Sequence, residues 1–199
     1  MRTQESDYRV RYSLLALLFA AVAAVPASLA QDAAQHSDIE VRVFLDPAEQ
    51  SGNAKATVRI HARREVVWSL ITSCPESVAL VPGLVACEVL ETAPDRSWQR
   101  IRHVMNYSWF VPKLTYEIRA SYDQPSRVSI ERISGDLRIL RGSWVLNSDG
   151  DYTLAHYAVD LAPGFWVPKW IVRSALRHDL PKMLRALRSR AEAVQIQNP

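Results

Sequence analysis

The sequence predicts an α+β fold in which a curved antiparallel sheet of about seven strands wraps around a long C-terminal helix. Seven stretches alternate polar and apolar residues, which is the period of a strand with one buried face. Two short helical stretches separate the first strand from the other six, and the chain closes on its longest apolar stripe at helical spacing. The composition agrees, because 199 residues with 48% apolar and 23% charged side chains are typical of one globular domain.

The first thirty residues have the order of a secretory signal peptide. Arg9 and Arg11 precede the apolar residues 14–25, and Pro26 and a Ser-x-Ala pattern ending at Ala30 follow. This stretch is shorter than the ~20 residues that span a bilayer as a helix. We therefore predict cleavage after Ala30 and a periplasmic or secreted mature protein. An uncleaved anchor and a buried N-terminal helix are the alternatives.

The seven strands are separated by short segments with turn chemistry. The predicted strands are residues 54–61, 85–90, 98–107, 114–122, 127–133, 137–146 and 152–161. Clusters of Pro, Gly, Asn and Asp between the last six are suited to hairpins, so these six strands form a meander. Helical spacing predicts short helices over residues 62–72 and 75–81, between the first and second strands. Residues 39–45 also alternate and are a candidate edge strand within an N-terminal leader, residues 31–53.

The closing helix carries an apolar stripe on one side and basic residues on the other. The stripe consists of Leu176, Leu180, Met183, Leu184, Leu187 and Ala191. Pro181 should kink or divide this helix, because proline lacks a backbone donor and crowds the preceding turn. We place the main folded domain at residues 54–194 and a flexible tail at 195–199.

The charge distribution excludes a nucleic-acid binder. The net charge of the whole chain is only +3, and from Lys169 onward seven basic residues face two acidic ones. The excess of positive charge is therefore confined to the closing helix, and no broad basic surface remains. Two cysteines exclude a disulfide scaffold and a four-thiolate zinc site, and no metal or other cofactor is expected. Cys74 and Cys87 bracket the second short helix and are either a disulfide or two buried thiols.

Several motifs resemble those of a known superfamily. They are Val66-Val67-Trp68, Val81-Pro82-Gly83-Leu84, Ser134-Gly135-Asp136-Leu137, Gly142-Ser143-Trp144, and the segment from Val167-Pro168 through Asp179-Leu180-Pro181 to Arg190-Ala191-Glu192. Over residues 54–194 the chain resembles the START-like (SRPBCC) superfamily, in its secreted polyketide cyclase/dehydrase and coenzyme Q-binding branch. The resemblance implies a helix-grip fold with a hydrophobic cavity between sheet and helix. It does not show whether the protein is a lipid or quinone carrier, a polyketide cyclase or an inactive binding module.

Strand parity then predicts which side chains line the cavity, since alternate residues of a strand face opposite sides of the sheet. The predicted ligand-binding residues are His103, Met105, Tyr107, Tyr116, Ile118, Leu140, Trp144, Tyr157, Val159, Leu176, Leu180 and Met183. His103 is the one histidine predicted to face inward and is a weak candidate for a catalytic base, with tyrosines as proton relays. The alternative is that His103 is a structural core residue with no chemical role.

Two loops each contain two aromatics, Val, Pro and Lys, and are predicted to lie at the cavity entrance. They supply Trp109 and Phe110 in one loop, Phe165 and Trp166 in the other, and Trp170 just beyond it. Aromatic rings beside a lysine suit transient contact with a membrane surface. The alternative is mutual packing that caps the cavity.

The favoured function is a periplasmic carrier of a hydrophobic small molecule: a lipid, an isoprenoid quinone or a polyketide-like compound. The first alternative is a polyketide cyclase, aromatase or dehydratase that uses the same cavity. The second is an envelope module that binds a protein partner through the aromatic loops. The sequence predicts nothing about oligomeric state.

Overall fold

Eight antiparallel strands form one curved sheet in the computed structural model, which describes residues 39–46, 48, 50–107 and 112–197. The strands are β1 (Ile39–Asp46), β2 (Ser51–Ile60), β3 (Leu84–Thr92), β4 (Trp98–Met105), β5 (Leu114–Asp123), β6 (Arg127–Gly135), β7 (Leu137–Asp149) and β8 (Tyr152–Pro163). Their order across the sheet is β1-β2-β8-β7-β6-β5-β4-β3. The predicted seven strands and the meander of six are confirmed.

The candidate edge strand forms as β1 and raises the number of strands from the predicted seven to eight. β1 pairs with β2 from Ile39 opposite Val58 to Asp46 opposite Ser51. Its alternate residues Ile39, Val41 and Val43 pack against the core. The folded domain therefore includes residues that we had assigned to the leader.

The helices are α1 (Arg64–Ile71), α2 (Cys74–Leu80), α3 (Lys169–Ser174) and α4 (Leu180–Gln197), and a π-helical turn (Ala175–Asp179) joins α3 to α4. The concave side of the sheet faces α4, whose residues Leu184, Leu187 and Ala191 are at most 1% exposed. The predicted helix-grip fold is confirmed.

The closing helix changes its hydrogen-bonding pattern just before Pro181, where a kink or a division was expected. The π-helical turn ends at Asp179, two residues before Pro181, and α4 begins at Leu180. Proline cannot donate to the carbonyl four residues earlier, and a π-helical turn is one way for a helix to absorb that loss. Ala175, Leu176 and Asp179 of this turn border the cavity between the sheet and the closing helix.

The C-terminal boundary differs from the prediction. Residues 195–197, which we had assigned to a flexible tail, belong to α4. The Gln195 side-chain oxygen accepts a hydrogen bond of 2.9 Å from the backbone N–H of Arg63, and Glu192 accepts one of 3.1 Å from that of His61. These contacts hold the last turns of α4 against the start of α1.

Two irregularities shift strand parity. A bulge between Leu84 and Ala86 leaves Val85 50% exposed, although strict alternation would put it on the same face as Cys87, which packs against the core. A second shift, between Leu137 and Ile139, puts both Leu137 and Leu140 on the cavity side. A bulge adds one residue to one strand only, so it reverses alternation locally.

Candidate functional site

A cavity with two chambers lies between the sheet and the closing helix. The outer chamber has a volume of about 150 Å³ and the inner one about 170 Å³. Both are lined by Val81, Tyr116, Leu140, Tyr157 and Met183, which therefore form a waist between them. Small-molecule pockets span ~300–1,000 Å³, so the two chambers together reach the lower end of that range and neither does alone.

All twelve predicted ligand-binding residues lie on the wall of this cavity. The outer chamber has Met105, Tyr107, Val159, Leu176 and Leu180; the inner chamber has His103, Ile118 and Trp144; Tyr116, Leu140, Tyr157 and Met183 line both. The wall is predominantly apolar, which fits the burial of an apolar ligand.

His103 is held in the inner chamber as a neutral imidazole. It lies on β4 opposite Cys87 of β3 and Tyr116 of β5. Its Nδ1 is 3.3 Å from the Tyr116 hydroxyl, and the two rings meet edge to face at 5.4 Å between centroids. Burial lowers the pKa of His103 to about 4, because the low dielectric disfavours the imidazolium. At neutral pH the two side chains therefore share one hydrogen bond, and neither of them is charged.

Three tyrosine hydroxyls give the cavity its hydrogen-bonding capacity. Burial raises the pKa of Tyr107 and of Tyr157 to about 12, and raises that of Tyr116 further, so all three stay protonated donors. Within the described part of the chain, no residue is seen to pair with the hydroxyls of Tyr107 and Tyr157. The Tyr157 ring also packs on Trp144, with 4.4 Å between centroids. Two donors are thus free to meet an acceptor on a ligand.

Sequence reasoning missed three parts of the wall. Leu137 lines the outer chamber because of the β7 bulge, and alternation gave no sign of it. The α2 helix supplies Ser77 and Leu80 to the inner chamber, although its short sequence shows no buried face. Asp179 lines the outer chamber from the π-helical turn. A charged residue one position before the apolar Leu180 was the only available sign.

Two interactions connect α2 to neighbouring elements. A disulfide joins Cys74 to Cys87 on β3, with 5.3 Å between the Cα atoms, and both cysteines line the inner chamber. Arg190 of α4 donates to both carboxylate oxygens of Glu76, at 2.8 and 3.2 Å. No residue of α2 is fully buried, so these two ties matter to its position.

The predicted entrance residues fall into two groups. Trp109 and Phe110 lie outside the described residues. Phe165 is half-buried and packs against the core, while Trp166 is 74% and Trp170 53% exposed. Val167, between Phe165 and Trp170 in the chain, is buried and lines the outer chamber. The exposed indoles therefore flank a segment that forms the cavity wall.

No group of three or more His, Cys, Asp or Glu side chains in the described residues could hold a metal ion. In the same residues, no helix is long and apolar enough to cross a bilayer.

Residues 60–188 match the family model for polyketide cyclase/dehydrase and lipid transport proteins. The chain belongs to this family. The match spans α1 through the first half of α4 and includes every predicted ligand-binding residue. This family fold is associated with hydrophobic ligand binding or cyclase activity. No curated protein matches the sequence.

Solved structures with this fold include members of both kinds. A STAR-related lipid transfer protein from Xanthomonas axonopodis is 21% identical, with a TM-score of 0.63 over 77% of this chain and 93% of that one. The lipid transfer domain of human StarD13 is 13% identical, with a TM-score of 0.62 over 82% and 95%. The ZhuI aromatase/cyclase from a Streptomyces species is 13% identical, with a TM-score of 0.56 over 79% and 95%. At these identities the likeness concerns the family fold alone.

Proposed function

We propose that this protein is a periplasmic carrier that binds a hydrophobic small molecule between the sheet and the closing helix. The ligand would be a lipid, an isoprenoid quinone or a polyketide-like compound. The observation that carries the proposal is the two-chambered, predominantly apolar cavity, whose described polar groups include three tyrosine hydroxyls, one neutral histidine and the Asp179 carboxylate. Such a wall can bury an apolar body and orient one or two acceptor atoms.

The test is to identify what the purified protein retains. Native mass spectrometry followed by organic extraction should find a bound apolar molecule in the wild-type protein. Val159→Phe, which fills the outer chamber, should reduce its occupancy several-fold. Val145→Phe is the matched control, because Val145 lies on the same sheet but borders a groove on the other face. Equal occupancy in all three proteins would place the ligand elsewhere and contradict the proposal.

A cyclase, aromatase or dehydratase activity is the second candidate, and the contact between His103 and Tyr116 favours it. A neutral imidazole can accept a proton from a substrate carbon or hydroxyl, and the adjacent hydroxyl can donate one to a carbonyl. Assays with polyketide-like substrates would distinguish the two functions. For an enzyme, His103→Ala should abolish turnover while the protein stays folded; for a carrier, no turnover is found with the wild type.

The periplasmic location is part of the proposal and rests on the first thirty residues. Cleavage after Ala30 would leave Gln31 as the first residue of the mature chain. N-terminal sequencing of the protein from the periplasmic fraction tests this. A mature protein that retains Met1, or that stays in the cytoplasm, would contradict it.

Transient contact with a membrane surface is also proposed, and the exposed Trp166 and Trp170 support it. Arg173 and Arg177 are exposed on the helical turns that follow. Indole rings prefer the headgroup region, and cations beside them attract anionic lipid.

Vesicle binding tests this contact. Trp166→Ser combined with Trp170→Ser should lower binding to phosphatidylglycerol vesicles several-fold. Phe44→Ser is the control, because Phe44 is a 61% exposed aromatic on the edge strand β1. Unchanged binding of the double variant would contradict the proposal.

A further inference from the structure

The cavity wall carries a single formal charge. Among the described residues that line the two chambers, none is lysine, arginine or glutamate, and the one carboxylate is Asp179 in the outer chamber. The histidine of the inner chamber is neutral at physiological pH. A ligand in this cavity therefore meets one carboxylate, and no described residue places a cationic side chain on the wall.

Asp179 is placed to act on a ligand. The π-helical turn before Pro181 carries it, and its side chain is only 19% exposed. Its nearest cation, Lys182, has its Nζ 3.8 Å from Asp179 Oδ1, but the Lys182 side chain is 64% exposed and lines neither chamber. Tyr107 and Asp179 both line the outer chamber, where burial and, to a lesser extent, the charge of Asp179 raise the pKa of Tyr107.

We infer that Asp179 is a specificity-determining residue that excludes anionic amphiphiles, so that the cavity takes uncharged molecules bearing a hydrogen-bond acceptor. This inference rests on the proposed carrier function. An anionic head would lose its hydration on entry, find no cation, and be repelled by a fixed carboxylate in a medium of low dielectric. An uncharged carbonyl or ester avoids all three costs and can accept from the Tyr107 or Tyr157 hydroxyl.

The test compares a carboxylate with its uncharged methyl ester. Methyl decanoate and decanoate are measured by displacement of the uncharged apolar probe N-phenyl-1-naphthylamine, at about pH 8, where free carboxyls are ionised. We expect the wild type to bind the ester at least about tenfold more tightly than the acid. Asp179→Asn should bring the ratio of the two affinities towards one, through tighter binding of the acid.

Two further variants serve as controls. Asp151→Asn makes the same change of charge in the exposed turn before β8 and should leave the ratio as in the wild type. Lys182→Gln removes the partner of Asp179 and should widen the ratio, while the affinity for the ester stays the same. It also keeps the inference testable if Asp179→Asn does not fold.

The outcomes separate this inference from the proposed function. If the probe and the ester bind but the acid binds equally well, the role of Asp179 is overturned and the carrier function stands. If neither the probe nor the ester binds, the proposed function fails, and the inference fails with it. An unchanged ratio in both Asp179→Asn and Lys182→Gln would also overturn the inference.

Discussion

At the scale of single residues, burial decides what each polar or aromatic side chain does. His103 and Tyr116 face each other in an apolar chamber, so the imidazole stays neutral and the phenol stays protonated. The tryptophans divide in the same way. Trp144 is buried against Tyr157, Trp68 packs edge to face on Tyr122, and Trp166 is largely exposed.

His103 predicts how stability depends on pH. Above pH 6.5 its ring is neutral in both the folded and the unfolded chain, so it contributes no pH dependence there. Between pH 6.5 and about 4, His103 binds a proton in the unfolded chain but not in the folded protein. The free energy of unfolding should therefore fall as the pH drops through this window, by roughly 3 kcal/mol in total.

Urea unfolding at about pH 7 and about pH 4.5 measures this loss. His103→Phe should remove that part of the difference between the two pH values. His178→Gln, a change at an exposed histidine, should keep it. A His103→Phe protein with the full wild-type difference would assign the pH dependence to other groups.

At the scale of elements, the short helix α2 depends on its ties more than on its own packing. Its N-terminal turn is capped by Ser73, whose side chain accepts from the Glu76 backbone N–H at 3.4 Å. Beyond that, the disulfide connects it to β3 and the Glu76 ion pair with Arg190 connects it to α4. The ion pair is at the surface and contributes little, so the disulfide is the stronger of the two ties.

Removal of the disulfide should lower the free energy of unfolding by about 3 kcal/mol. The two cysteines are 13 residues apart, and closing a loop of that length restricts the unfolded chain by about this amount. Urea unfolding of Cys74→Ser combined with Cys87→Ser measures the change. Reductant should destabilise the wild type and leave the double variant unaffected. Two freely alkylated thiols in the unreduced wild type would show that the bond is not formed.

At the scale of the whole molecule, a ligand in the cavity would bridge the sheet and the closing helix. Four of the waist residues belong to β5, β7, β8 and α4, and the fifth, Val81, directly follows α2. A ligand at the waist would therefore contact these four elements and the end of α2. Binding to the folded state alone must then stabilise the protein against unfolding.

A bound apolar molecule should raise the free energy of unfolding by about 2.7 kcal/mol at a free concentration 100 times its Kd. N-phenyl-1-naphthylamine is a suitable probe, and the shift of the urea midpoint is the measurement. Val159→Phe should lose most of the shift, whereas Val145→Phe should keep it. A shift of equal size in the Val159→Phe protein would point to a site outside the cavity.

Periodicity in the sequence predicts the strands and the closing helix, because a strand repeats every two residues and a helix every 3.6. These are local properties. The twelve cavity residues follow from strand and helix periodicity once the family resemblance supplies the helix-grip fold. Alternation gives the wrong face for Val85 and Leu137, because each lies beside a bulge and one inserted residue reverses the pattern.

The character of the cavity depends on how the elements pack in three dimensions. Periodicity and the family resemblance predict an apolar interior between a sheet and a helix. They do not predict that α2 lines the inner chamber, that Cys74 bonds to Cys87, or that Asp179 is the one carboxylate among the described residues of the wall. These features depend on sheet curvature and on the π-helical turn ahead of Pro181, which bring together residues far apart in the chain. Contacts of that kind follow from the packing of whole elements, and no local pattern encodes them.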